Sequence, residues 1–205
     1  MLDRDDCRRT GRLAVFSGEG RIVIRERGLA LGTDDWLAII RFLHVLSGIV
    51  WIGLLYYFNL VQVPSFAQME APARSNAVRF LVPRALLWFR YAALSTVVWG
   101  IVWIGLMSAE TDGAYTDLDS AAFKSILVGG GLGIIMFLNV WGIIWPNQKK
   151  IIAAAVATAE TGAAAPADQP KWARRAFLAS RTNVALSIPM LFFMIAAHNL
   201  PGLWS

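Results

Sequence analysis

The chain has two histidines, His44 and His198, and each falls inside an apolar stretch long enough to cross a bilayer. An ionisable ring at membrane depth is costly, which makes it a functional candidate. His44 lies eight residues after Trp36, where the first stretch starts, and His198 five residues before Leu203, where the fourth ends. An even number of crossings returns the chain to the same side. At about 1.5 Å rise per residue, both imidazoles therefore fall about 8–12 Å inside one interface. Two neutral imidazoles at one depth suit a haem b held by two axial histidines, a low-spin centre adapted to electron transfer. His44 and His198 are accordingly the candidate ligands of a haem iron.

The neighbours of these rings fit that chemistry. Arg41, His44, Gly48 and Trp51 share one helical face. Gly48 would leave clearance for a flat macrocycle, and Arg41, nearer the interface, could pair with a propionate. Ser187, Leu191, Met194 and His198 form a similar stripe, and Gly129, Gly130, Gly131 and Gly133 permit close approach of a backbone or a cofactor. Plainer readings stand beside these. A membrane histidine can simply hydrogen-bond a neighbouring helix, a glycine run can serve helix packing, and Arg41 can snorkel to the interface. Met107, Met136, Met190 and Met194 read as lipid-facing or core residues. No catalytic residue is identifiable.

A second polar set, Asn59, Gln62, Arg90, Asn139, Asn183 and Ser187, lies toward the opposite side. Interhelical hydrogen bonding accounts for it; a pocket for a small polar molecule or a quinone head group is the alternative. Arg90 is expected between helices, neutralised by amides or carbonyls such as those of Asn59 or Asn139.

The elements that must position these residues follow from composition. The chain is 57% hydrophobic and 16% charged, against about 45–50% and 25% in soluble domains. Four apolar stretches, about 36–63, 85–107, 123–145 and 182–203, each reach the roughly 20 residues a membrane helix needs. They do not alternate as barrel strands do, and backbone groups in lipid must be satisfied internally. The expected fold is an all-α integral membrane four-helix bundle with a polar N-terminal tail. The tail, residues 1–35, carries seven arginines and seven acids and has no signal-peptide core. It reads as flexible, with a short strand near Arg21–Arg25, and residues 36–205 form the membrane domain.

Cys7 is the single cysteine, which excludes an intrachain disulfide, a Cys-pair metal site and covalent c-type haem. The net charge of +5 is a topology signal and not a nucleic-acid footprint. The first and third loops hold Arg74, Arg79, Arg84, Lys149, Lys150, Lys171, Arg174, Arg175 and Arg181, whereas the acidic loop at 108–120 holds no Lys or Arg. Both termini are thus expected to face outward, with the basic loops cytoplasmic.

Three segments also carry a resemblance. Arg41-Phe-Leu-His-Val-Leu-Ser-Gly-Ile-Val-Trp-Ile-Gly-Leu-Leu-Tyr-Tyr-Phe58 resembles the opening helix of the urate oxidase membrane-domain family. Asn139-Val-Trp-Gly-Ile-Ile-Trp-Pro-Asn-Gln-Lys-Lys150 and Ala179-Ser-Arg-Thr-Asn-Val-Ala-Leu-Ser-Ile-Pro-Met-Leu-Phe-Phe-Met194, followed by His198, resemble its later helices. Full-length members join a membrane domain of more helices to a C-terminal cytochrome c and are linked to urate oxidation. The resemblance covers residues 36–205 and implies a shortened, stand-alone member without the cytochrome c domain. His44 followed by Trp51-Ile-Gly-Leu-Leu55 also resembles haem-binding membrane protoporphyrinogen oxidases. The function implied is a b-type haem protein of the bacterial inner membrane, in electron transfer or as the membrane part of an oxidoreductase. Its electron partner would be soluble cytochrome c or another membrane redox subunit, and its solvent is membrane lipid. The alternative is a cofactor-free structural or accessory subunit. A small-molecule transporter built on the Arg90 set is a third reading.

Overall fold

Two prolines explain why the first and third helices are not regular throughout. Pro64 and Pro146 each lack an N–H and would clash with the carbonyl four residues earlier. In both places the chain widens into a π-helical turn just upstream, over Tyr57–Gln62 and Val140–Ile144. The Val63 N–H donates to the Phe58 carbonyl and the Trp145 N–H to the Val140 carbonyl, five residues back in each case. The helix thus passes each proline with its ladder re-registered instead of broken.

These details come from a computed structural model that describes residues 12–16, 22–26 and 32–204. The chain divides into two compact units, residues 1–39 and 40–205. In the first, β1 (Arg12–Phe16) pairs antiparallel with β2 (Ile22–Glu26), Arg12 opposite Glu26 and Phe16 opposite Ile22. The strand expected near Arg21–Arg25 is therefore one arm of a hairpin; Arg21 itself lies outside the described residues.

Four helices are long and apolar enough to cross a membrane: α1 (Thr33–Gln68), α2 (Ala71–Glu110), α3 (Ala121–Thr161) and α4 (Gln169–Asn199). The fold is all-α through the membrane domain, an integral membrane four-helix bundle. The helices overrun the apolar stretches. The segment read as a loop between Val63 and Arg84 is helical except around Met69 and Glu70, with Pro83 inside α2. Ser120 caps α3 by accepting from the Phe123 N–H, and Gly162, at φ +71°, ends it in the left-handed conformation that glycine tolerates.

The core is narrow. Trp51 and Leu55 of α1, Phe89 and Ala93 of α2, and Met136 and Val140 of α3 are almost fully buried. Phe58 meets Phe89 edge-on at 5.3 Å. Large apolar side chains such as Phe42, Ile49, Trp88, Ile101 and Ile188 are more than 60% exposed, which suits lipid and not water. Gly129 lies at a close helix contact. A Cβ there would lie 3.1 Å from the Phe193 Cβ and 3.2 Å from the Met190 carbonyl oxygen, so α3 and α4 touch backbone to backbone. At this position the glycine run serves packing. Met136 and Met190 are buried, as expected of core residues.

Candidate functional site

Glycine at position 100 of α2 determines how His44 is held. A side chain there would lean back over the preceding turn and cover the Thr96 carbonyl. Instead the imidazole of His44 occupies that space. A Cβ on Gly100 would sit 3.0 Å from both Cε1 and Nδ1 of the ring. His44 Nδ1 lies 2.8 Å from the Thr96 carbonyl oxygen. A carbonyl only accepts, so Nδ1 carries the hydrogen, and in the neutral ring Nε2 carries the lone pair. An N–H anchored on a backbone carbonyl is the usual way a ligating histidine is oriented and made more basic. Ser47 Oγ pairs with Ser95 Oγ at 2.8 Å, fixing α1 against α2 beside the ring. Gly48 lies against Thr96, where a Cβ would make ordinary contact with Cγ2 at 3.8 Å. The room for the imidazole itself is made by Gly100, a residue on another helix.

His198, near the end of α4, is exposed and belongs to an aromatic cluster. Its Nδ1 is 3.2 Å from the Tyr115 hydroxyl, and its ring centroid is 5.9 Å from that of Trp103 and 6.0 Å from that of Tyr115. Trp103 and Tyr115 meet edge-on at 5.4 Å. The Arg41 guanidinium lies 5.9 Å from the Trp103 ring centroid. Tyr115 projects from the acidic loop, whose turn is closed by Ser108 Oγ pairing with Thr116 Oγ1 at 2.6 Å and by Gly113 at φ +89°. Burial pushes the Tyr115 phenol above its ordinary value, and the nearby Arg41 charge opposes that rise. Both histidines thus lean on one stretch of α2, His44 at Gly100 and His198 at Trp103, one turn further on. Sequence reasoning missed Gly100, Trp103 and Tyr115. Their only signals were a glycine and a tryptophan at helical depth and the one aromatic residue of the acidic loop.

The second polar set is arranged differently. Asn139 Nδ2 donates to Asn183 Oδ1 at 2.9 Å, and Asn183 Nδ2 donates to the Met136 carbonyl at 3.0 Å. Asn59 Nδ2 reaches both the Leu55 carbonyl and Ser180 Oγ, and Tyr56 Oη pairs with Ser187 Oγ at 3.0 Å. Asn183 and Ser187 are fully buried, and both are hydrogen-bonded. Arg90 departs from expectation, because it does not use the Asn59 or Asn139 amides. Its Nε donates to the Leu86 carbonyl one turn back in its own helix, at 3.3 Å, and its guanidinium stacks 3.4 Å from the Trp145 ring centroid. Arginine is weakly hydrated and planar, so an indole face can replace amide partners. The asparagines meanwhile pair with other groups.

Among the described residues no group of three or more His, Cys, Asp or Glu side chains could hold a metal ion. Two histidines with a macrocycle need no such group. Thr96 fixes Nδ1 of His44 and leaves Nε2 the lone pair, so this residue fits an axial ligand. His198 is held through Nδ1 by Tyr115.

The sequence model of a family described as urate oxidase N-terminal matches residues 103–203. That segment runs from Trp103 through the acidic loop, α3 and α4 to His198. It contains two of the three motifs noted in the sequence, while Arg41, His44 and Gly48 precede it. No curated protein and no solved structure matches the chain. Through that segment the chain belongs to the urate oxidase N-terminal family.

Proposed function

We propose that this protein is a b-type haem membrane protein of the bacterial inner membrane. It would work in electron transfer, or as the membrane part of an oxidoreductase related to urate oxidation. The observation that carries the reading is His44, with Nδ1 anchored at 2.8 Å on the Thr96 carbonyl and its ring seated against Gly100. His44, through Nε2, and His198 would hold haem b. Arg41 would neutralise a propionate, and Gly48 would lie on the same face of α1. The bound group would supply one-electron chemistry. Cytochrome c or another membrane redox subunit would be the partner.

Absorption spectra of the detergent-purified protein test this. Reduced Soret and α bands are expected, with His44→Ala and His198→Ala each removing or shifting them and Met194→Leu changing little. Unchanged spectra in both alanine variants would exclude the bis-histidine assignment. One observation favours a cofactor-free accessory subunit instead. His198 is exposed at the end of α4 and ties that end to the acidic loop through Tyr115, an arrangement that a purely structural role also explains. A colourless protein from haem-replete cells would decide for that reading.

A further inference from the structure

A cavity of about 540 Å³ opens between α3 and α4, away from both histidines. Its two walls are helical stripes. Arg175, Leu178 and Thr182 lie on α4, and Asn139, Ile143 and Asn147 on α3, with Gly142 between them. Asn139 pairs with Asn183, and the two helices run antiparallel. Eight residues along α3 and eight back along α4 bring Asn147 level with Arg175. The groove is therefore polar at one end (Asn147, Arg175), apolar in the middle and polar again at the other (Asn139, Thr182). Ile143 and Leu178 are 40% and 51% exposed, so the middle opens sideways to lipid.

The spacing of the two polar ends along the helix fits one ligand class. Seven residues from Arg175 to Thr182 span about 10.5 Å of helix. A ring with two para carbonyls about 5 Å apart, plus a hydrogen bond of about 3 Å at each end, needs about 11 Å. We propose that this groove binds the head group of a membrane quinone, one carbonyl at each polar end and the isoprenoid tail leaving between Ile143 and Leu178. Among the described residues nothing engages Arg175, which leaves its guanidinium for a charge-assisted bond to one carbonyl. At the other end Asn139 gives one N–H to Asn183 and keeps a second. Asn147 likewise gives one N–H to the Ile143 carbonyl. Side-chain amides both donate and accept, so the site accommodates the quinone and the quinol without titrating. A phospholipid phosphate would satisfy Arg175, but its acyl chains would then lie against Asn139 and Thr182, setting polar groups against hydrocarbon. The site does not depend on haem, although a quinone is a fitting exchange partner for the electron-transfer reading.

The test is photolabelling of the full chain in phosphatidylcholine nanodiscs with an azidoquinone, mapped by mass spectrometry and competed with decylubiquinone. Competable label is expected in residues 139–147 and 175–182. A Cβ at Gly142 meets nothing within 4 Å, so a side chain there starts in open space, and Gly142→Trp should fill the groove and cut labelling at least tenfold. Arg175→Met, at an exposed position, should weaken competition about tenfold through loss of one charge-assisted bond. Label spread over lipid-facing residues without competition, label unchanged in both variants, or displacement by phosphatidylglycerol as effective as by quinone would overturn the proposal. A haem-free preparation that still gives competable label upholds this site and removes only the haem reading. A haem-containing preparation that does not label does the reverse.

Discussion

The two ends of the bundle handle their polar groups in opposite ways. Around Asn139 and Asn183 the amides form a relay, Asn139 donating to Asn183 and Asn183 to the Met136 carbonyl, and Asn183 and Ser187 are sealed from the surroundings. Around His44 and His198 each ring is held through Nδ1 alone, His198 also packs against Trp103 and Tyr115, and Arg41 and His198 remain exposed. A closed network holds helices together, and changing it costs stability. An open cluster with anchored rings is built to meet something else, and changing it should cost binding or spectral properties first. The contrast separates polar groups that tie helices together from those around the histidines; Asn139 belongs to both kinds, giving one N–H to Asn183 and turning the rest of its amide to the groove.

Substitutions sharpen or break that contrast. The largest effect is expected from Gly129→Leu, on the closed side, where a side chain would run into the Met190 carbonyl and the Phe193 Cβ. A loss of about 3 kcal/mol should appear as a lower thermal midpoint in detergent. A wild-type midpoint would mean that α3 and α4 do not touch there. Next comes Asn183→Leu, which removes the acceptor of the Asn139 amide and one of the donors to the Met136 carbonyl at a fully buried position, and should cost about 1–3 kcal/mol. Any haem spectrum should survive it; a spectrum that collapses while the fold holds would erase the division of labour.

Gly100→Ala should do the opposite, costing only about 1 kcal/mol. It should nevertheless displace the His44 ring, from which a Cβ would stand 3.0 Å, and shift the spectrum of a haem-loaded preparation. An unchanged spectrum would show that the seat of His44 on α2 is not needed for ligation. The smallest effect is expected from Tyr115→Phe, less than about 1 kcal/mol near neutral pH. Burial raises the phenol, so the folded protein holds that proton more tightly than the unfolded chain does. The associated stability is present below the ordinary tyrosine range near pH 10 and is lost as pH rises through the raised value. Alkaline denaturation should therefore be shallower in Tyr115→Phe than in the wild type. Identical curves would indicate that the phenol ionises as freely in the fold as outside it.

Much of this was legible from the residues alone, for identifiable reasons. Apolar runs near bilayer length can be satisfied only as helices, so four spans and an all-α bundle followed from composition and length. The face shared by Arg41, His44 and Gly48 is a property of helical periodicity. The number of crossings put the His44 and His198 ends of α1 and α4 on one side before any packing was known. The match over residues 103–203 rests on sequence as well.

Only tertiary structure decided which partners those residues take. Gly100 seats His44 because α2 passes α1 at that height, and Tyr115 reaches His198 because the acidic loop folds toward the end of α4. Arg90 found indole faces where amides were expected, since Asn139 was already engaged by Asn183 across 44 residues of chain. The groove at Gly142 likewise brings the π-helical turn before Pro146 together with the Arg175–Thr182 stripe of another helix. Local sequence dictates periodicity and depth, because both depend on the chain's own backbone geometry and its transfer into lipid. Which side chain meets which depends on how neighbouring helices cross and in what register, and no single segment encodes that.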